Sequence, residues 1–306
     1  MADLDELLEK TSRTFALSIP LLPEPTRQHV VLGYLLFRIA DTFEDAARWP
    51  RRKRVAALEA FARLLEDDSR GNGEAAELAA IWANEVPIDH EGYRELLSET
   101  PAVLEAFFAL EEPARSLVRD HVQRTARGMA SYVERTDDEG ELELETLDDL
   151  RDYCYIVAGI VGEMLTELFL LGRPELAPKA VYLRSRSRRC GEAQQLVNIL
   201  KDSSFDAREG RSYLAGADRD SVFALAREDL RVFLEYIDAI QQSGSEDGLV
   251  AFNALPVLLA YAALDKVEQD GPGAKISRDT VFGIMADLER ALERGAPVVS
   301  LVRVRS

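Results

Sequence analysis

A chain of 306 residues, 47 % of them hydrophobic, is long enough to bury a large core and too apolar for disorder. Its 55 acidic residues against 37 basic ones leave a formal charge of −18, which argues against nucleic acid or an anionic bilayer as the main electrostatic partner. Anionic small molecules stay open, because an arginine patch or a bound metal reverses the field locally.

The N-terminus, "MADLDELLEK", is acidic and lacks the basic and apolar regions of a signal peptide. Next comes "VVLGYLLF", apolar all round and therefore a buried helix, which runs into "RIADTFEDA". Helical periodicity marks further helices over 51–67, 74–84 and 90–110, with "TP" at 100–101 and Pro113 as start signals. From 112 to 134, Leu117, Val118, Val122, Thr125, Met129 and Val133 form one stripe at three- and four-residue spacing. "TLDD" at 146–149 is a capping-box pattern opening a helix over 146–171. Helices over 178–203, 219–241, 246–268 and 277–294 follow, with a kink predicted at Pro256. The breaks are "DDSRGNG", "TDDEGE", "LGRPELAP", "SGSEDG" and "DGPG". No alternating run carries hairpin chemistry, so the pattern predicts one all-α domain over 1–306, of roughly ten helices.

Cys154 and Cys190 are the only cysteines and neither lies in a CxxC, which favours a reducing, cytoplasmic setting. The acid excess, with arginine carrying most of the positive charge, suggests a salt-rich cytoplasm. The tracts "YCYIVAGIVGEMLTELFLLG" and "AFNALPVLLAYAAL" are interrupted by Glu163 and Glu167 or too short to span a bilayer, and read as buried helices. Any membrane contact is expected to be peripheral. His29, His90 and His121 are scattered without zinc spacing, and no GxSxG, P-loop or GxGxxG is present.

The chemistry is concentrated in two acid pairs. Asp41 and Asp45 are four residues apart, with Glu44 adjacent and Arg38 one turn earlier, so a helix points them to one side. "NILKDSSFD" repeats the spacing with Asp202 and Asp206, and Asn198 one turn earlier. One such pair is usually a solvated face. Two, each reached through an apolar approach, point instead to a cation between crowded carboxylates, which would otherwise repel. Magnesium, held by one or two carboxylates plus phosphate oxygens, suits that arrangement and makes a diphosphate a good leaving group. A carbocation left behind needs a dry pocket and aromatic faces. Phe15, Tyr34, Phe37, Tyr155, Phe169 and Phe252 are candidates, with ordinary core as the alternative for each.

Five segments in order resemble the squalene and phytoene synthases, which join two prenyl diphosphates head to head. "KTSRTFALSIPLLP" looks like the family's N-terminal Ser-Arg-x-Phe turn, and "YLLFRIADTFED" like its first aspartate-rich motif. "RGMASYV" at 127–133 resembles its Gly-Met-Ala segment, and "YCYIVAGIVGEML" its glycine-containing helix. "VNILKDSSFDAREGRSYL" resembles the second aspartate-rich motif and the Gly-Arg after it. The resemblance implies a helical bundle of the isoprenoid synthase type with a central active-site cavity. It also implies magnesium ligands at Asp41, Glu44, Asp45, Asn198, Asp202 and Asp206. Substrate contacts fall on Ser12, Arg13, Phe15, Tyr34, Arg38 and Arg211, where arginine's planar fork suits phosphate. The resemblance also gives Asp41, Asp45, Asp202 and Asp206 a part in ionising the substrate. Tyr153 matches the tyrosine assigned to proton removal in cyclopropane formation; read from its residues alone, it is a buried aromatic with a satisfied hydroxyl. Gly159 and Gly162 allow close helix approach or open a channel.

Within the family the features lean toward squalene synthase, with farnesyl diphosphate as substrate and NADPH as reductant. The first motif carries Glu44 before its last aspartate, and "FNALPVLLAYAAL" resembles an Ala-x-Pro segment of those enzymes. "GAKISRDTV" resembles their nicotinamide-binding element, with Lys275 matched and Arg278 one position off. Arg13, Arg38, Lys201, Lys275 and Arg278 make up the implied cofactor contacts, with Lys201 replacing the family's usual arginine. A solvated loop is the plain alternative for Lys275 and Arg278. The rival functions are a phytoene or dehydrosqualene synthase without a reductive step, a class I cyclase or chain elongase, and a non-catalytic helical scaffold.

Overall fold

A computed structural model of the chain describes residues 3–12, 14–46, 48–66, 71–85, 89–137, 142–206, 211–214 and 218–303. It is all-α: the strands among the described residues are two dipeptides, Leu142–Glu143 and Arg211–Ser212. Where the sequence predicts a single domain, the contacts gather into two compact units. One comprises residues 1–16 with 25–142, the other residues 17–24 with 143–306.

In the first unit, α1 (Leu4–Thr11) starts at Asp3, whose side chain accepts from the Asp5 and Glu6 N–H groups. Phe15 and Ala16 of the short helix α2 (Phe15–Ser18) also belong to it. The long helix α3 (Thr26–Glu44) packs against α1, α4 (Arg51–Leu64), α6 (Glu91–Ser98), α7 (Thr100–Phe108) and α8 (Glu112–Glu134), with α5 (Gly71–Asn84) bracing α6 and α7. The predicted helix over 90–110 is thus two, broken at Glu99 where Pro101 enters the first turn of α7 and favours a fresh start. Phe43 anchors the core under the first acid motif. Fully buried, it lies against Trp82 at 4.6 Å, Trp49 at 6.0 Å and Phe61 at 6.2 Å between ring centres. Its burial alone contributes about 2–3 kcal/mol.

The second unit is built round α11 (Ala180–Asp206), which packs on α9 (Leu147–Cys154), a π-helical turn over Tyr155–Gly159, α10 (Ile160–Leu170), α12 (Arg219–Gln242) and α13 (Asp247–Asp270). Thr146 caps α9 by accepting from the Asp149 N–H at 3.1 Å, as "TLDD" predicts. Helix α14 (Arg278–Glu293) and the short α15 (Ser300–Arg303) lean on α13, which runs through Pro256 without a break. Glycines set the spacing of α11. A Cβ on Gly191 would lie 1.9 Å from the Ala158 carbonyl oxygen, and one on Gly162 would lie 2.1 Å from that of Ser187. Close helix approach, rather than a channel, accounts for Gly162.

The two apolar stretches are longer than their sequence runs suggest. Leu147–Leu170 and Asp247–Asp270 are each long and apolar enough, by length and composition, to cross a bilayer. In the second of them, 72 % of the apolar window is buried within the protein.

Candidate functional site

Two groups of side chains carry the chemistry, one in each unit. In the first unit, the end of α3 and its C-cap place Arg38, Asp41 and Asp45 on one face, with Glu44 between the two acids in the chain. Glu44 is buried, while Asp41 and Asp45 are half-buried. Arg38 Nη1 stands 3.2 Å from Asp41 Oδ2, and Arg38 Nε donates to Tyr34 Oη at 3.3 Å. Tyr34 in turn donates to the Thr11 carbonyl at 2.8 Å, and its ring lies 5.7 Å from that of Phe15. Ser12 accepts from the Phe15 N–H at 3.0 Å, fixing the turn between α1 and α2. The predicted residues Ser12, Phe15, Tyr34, Arg38, Asp41 and Asp45 therefore share one neighbourhood, with Glu44 buried next to Asp45 in the chain. Arg13 lies outside the described residues.

The electrostatics of this group are those of an anion site holding crowded acids. Burial pushes the Asp41 carboxyl up to about 6, with Arg38 opposing and Asp45 adding to the rise. Burial works against the charge of Arg38, but Asp41, Tyr34 and Tyr93 outweigh it and keep the guanidinium protonated. Tyr93 was not singled out by sequence. Its ring, on α6, faces the Arg38 guanidinium at 5.5 Å, the same distance as the Tyr34 ring. Tyr93 sits in no motif, and only the packing of α6 on α3 reveals it.

In the second unit, α11 carries Asn198, Lys201 and Asp202 toward its C-terminal end. Lys201 Nζ donates to Asn198 Oδ1 at 3.1 Å and lies 3.2 Å from Asp202 Oδ2. This group is more open than the apolar approach "EAQQLVNIL" predicts. Asn198 and Phe205 are exposed and the Asp202 side chain is 46 % accessible, because the apolar residues Leu196, Val197, Ile199 and Leu200 face the helices packed on the other side of α11. Asp206 ends the helix; its side chain and that of Arg211 lie outside the described residues. The Gly273 N–H donates to the Lys201 carbonyl at 2.7 Å, which ties the loop before α14 to this turn. Lys275, on that loop, lines a cavity of about 830 Å³ with Arg227, Tyr261, Lys266, Ser277 and Thr280; Arg278 is exposed and outside the lining.

Tyr153 is buried on α9, its oxygen 3.0 Å from the Tyr213 oxygen and the two rings stacked at 4.9 Å. Sequence reasoning missed Tyr213, although it stands two residues after Arg211. Of the aromatic candidates, Phe169 and Phe252 meet edge-to-face at 5.7 Å in the core, and Tyr155 lies under the Arg188 guanidinium at 4.3 Å. A network unforeseen from sequence joins α9, α11 and α12. Arg188 and Arg151 pair with buried Glu192, and Arg189 pairs with fully buried Asp229 and with Glu228.

Among the described residues no three His, Cys, Asp or Glu side chains form a ready-made metal cluster. The donors present still suit magnesium. They are hard oxygens, paired on one helix face, with Asp41 pushed upward by burial and by its neighbour, a strain that a divalent cation relieves. Magnesium keeps waters and takes one or two carboxylates with phosphate oxygens, so three preassembled ligands are not required.

Comparison with known proteins places these groups. The family model for squalene/phytoene synthase matches residues 8–219. The squalene synthase of Schizosaccharomyces pombe is 30 % identical over 208 residues, 68 % of this chain and 42 % of the relative. That of Eremothecium gossypii is 31 % identical over 211 residues, 68 % of this chain and 44 % of the relative. The matches thus span less than half the length of these relatives. Among solved structures, the complex of TcSQS with the ligand E5700 is similar in fold (TM-score 0.73, 22 % identity, 92 % of this chain and 83 % of that one). So is a dehydrosqualene synthase in complex with ligand (TM-score 0.60, 21 % identity, 95 % of each chain). The matched stretch takes in α3 and α11 with their acid sets and the Tyr153 helix, and over that stretch this chain belongs to the squalene/phytoene synthase family.

Proposed function

We propose that this chain is a magnesium-dependent prenyltransferase that condenses two farnesyl diphosphates head to head through presqualene diphosphate, which NADPH then reduces to squalene. The observation that carries the reading is the α3 group. There an arginine held between two tyrosine rings stands 3.2 Å from one of two acids at four-residue spacing. Arg38 offers a fixed, permanently charged fork to a diphosphate oxygen, with Ser12, Arg13 and Arg211 as further phosphate contacts. On this reading Asp41, Glu44 and Asp45 in the first unit, and Asn198, Asp202 and Asp206 in the second, would hold magnesium, which would neutralise the charge growing on the leaving diphosphate. Tyr153 handles the proton lost on ring closure, its buried surroundings keeping water away from the cation. Lys275, beside its cavity, is the strongest candidate contact for the phosphates of NADPH, which supplies hydride when bound. Lys201 is turned to Asn198 and Asp202, and Arg278 is not among the residues lining that cavity, so the reductive half rests on fewer residues than the condensation.

The test is product analysis from farnesyl or geranylgeranyl diphosphate with magnesium, with and without NADPH. Squalene formed only with NADPH is the expected result; the same unsaturated hydrocarbon in both arms assigns a dehydrosqualene or phytoene synthase instead. Asp41→Ala and Asp202→Ala are each expected to abolish turnover while circular dichroism and melting stay close to those of the parent. Full activity in either variant would falsify the metal assignment.

A further inference from the structure

Arg38 is held by a hydrogen bond, an ion pair and two ring faces. Its Nε donates to Tyr34 Oη at 3.3 Å, and its Nη1 stands 3.2 Å from Asp41 Oδ2. The Tyr34 and Tyr93 ring centres each lie 5.5 Å from its guanidinium carbon. Its Nη2 makes no hydrogen bond among the described residues, which leaves one edge of the fork for a ligand. A long side chain that is 25 % exposed has to be ordered before it can grip anything, and that ordering costs affinity unless it is done in advance. The Tyr93 ring that faces Arg38 is itself fixed. The Tyr93 N–H donates to His90 Nδ1 at 3.3 Å, which caps α6, and the His90 ring stacks on the Tyr93 ring at 4.0 Å between centres. Beside it, Gly92 lets α6 press on α1, since an added Cβ would lie 2.6 Å from the Lys10 carbonyl oxygen. The Tyr93 hydroxyl makes no hydrogen bond among the described residues, so what this side chain offers Arg38 is the face of a ring.

We propose that Tyr93 is a positioning residue that holds the Arg38 guanidinium against its ring, so that the open edge is already set to meet a diphosphate oxygen. This rests on the prenyl diphosphate reading above, in which Arg38 contacts phosphate. On that reading Asp41 shares its charge with magnesium, so Arg38 loses part of its counter-charge when the diphosphate arrives. The ring quadrupoles do not depend on that exchange, and they keep the guanidinium in place through it. Tyr34 lies one turn before Arg38 on α3 itself, whereas Tyr93, on α6, ties Arg38 to a second helix. Tyr93 touches neither diphosphate nor metal in this scheme; it acts through Arg38 alone.

The experiment compares Tyr93→Leu, Tyr93→Phe, Arg38→Met and the Tyr93→Leu/Arg38→Met double variant. Calorimetry reads the affinity for inorganic pyrophosphate with magnesium, and steady-state kinetics reads kcat and KM for farnesyl diphosphate. Tyr93→Leu is expected to weaken pyrophosphate binding about fivefold and to raise KM by a similar factor, with kcat within about twofold of the parent. Tyr93→Phe keeps the ring and is expected to restore both affinities to within about twofold. In the Arg38→Met background Tyr93→Leu is expected to change pyrophosphate affinity by less than about twofold, because the group it acts through is gone. Parent-like pyrophosphate affinity in Tyr93→Leu overturns the proposal. So does a loss in Tyr93→Phe as large as in Tyr93→Leu, or a Tyr93→Leu effect undiminished without Arg38. Circular dichroism checks each fold, and Tyr93→Met, unbranched and equally ringless, repeats the comparison where leucine disturbs α6. If the unmodified chain binds no pyrophosphate and condenses no prenyl diphosphate, the functional reading itself fails, a result visible before any Tyr93 variant is measured.

Discussion

Asp229 is fully buried on α12 and pairs with Arg189 on α11, with one carboxylate oxygen lacking a hydrogen-bond partner among the described residues. Burial holds this carboxyl above its ordinary value of 3.8, while Arg189 and Arg151 pull it down. Replacing Arg189 with Met removes most of that opposition, so the native carboxyl rises further. A group raised in the native state supports folding below its unfolded value and loses that support as pH climbs through the native one. Arg189→Met is therefore expected to cost about 2 kcal/mol at neutral pH. That is less than a wholly enclosed pair would lose, because the guanidinium is 27 % exposed. The cost should shrink as pH falls toward 3.8. Urea unfolding across a pH series checks this; a loss that does not vary with pH assigns the effect to packing. The neighbouring Glu192, also buried and raised by burial with Arg188 opposing, belongs to the same network.

Among elements, the contact of α11 with α10 and the π-helical turn is the tightest that glycines permit. Gly191→Ala drives a methyl into the Ala158 carbonyl, and Gly162→Ala drives one into that of Ser187. Each is expected to destabilise by about 2–3 kcal/mol, since the obstacle is backbone and the roughly 1 kcal/mol gained in helix propensity cannot offset it. Gly283→Ala on α14 is the control. No atom lies within 4 Å of its added Cβ, so it is expected to stabilise by about 0.5–1 kcal/mol. Denaturant midpoints for the three variants decide the matter; equal shifts for Gly191 and Gly283 would remove the packing explanation. The split of the predicted helix over 90–110 belongs to this scale too. Thr100 and Pro101 were visible as a start signal, but periodicity alone runs across the break because both helices bury a similar apolar face.

For the molecule as a whole, the charge of −18 sets a general condition. Self-repulsion among acids opposes the compact state and is screened by salt, so melting temperature is expected to rise with added potassium chloride from low ionic strength. Thermal melts over a salt series test this, and a flat or falling curve contradicts it. What the sequence alone determined is what depends on near neighbours along the chain. Helix positions, the Thr146 cap and the one-turn spacing of Arg38, Asp41 and Asp45 follow from the helical repeat, and the structure keeps them, apart from the break at Glu99. Only the tertiary structure decided which distant residues meet. Tyr213 lies 60 residues from Tyr153, Tyr93 lies 55 from Arg38, and Asp229 lies 40 from Arg189. No periodicity or composition encodes those pairings, because they depend on how helices stack and which faces that stacking buries. The same reason explains why the second acid group, read as buried from its apolar approach, stands open to solvent at Asn198.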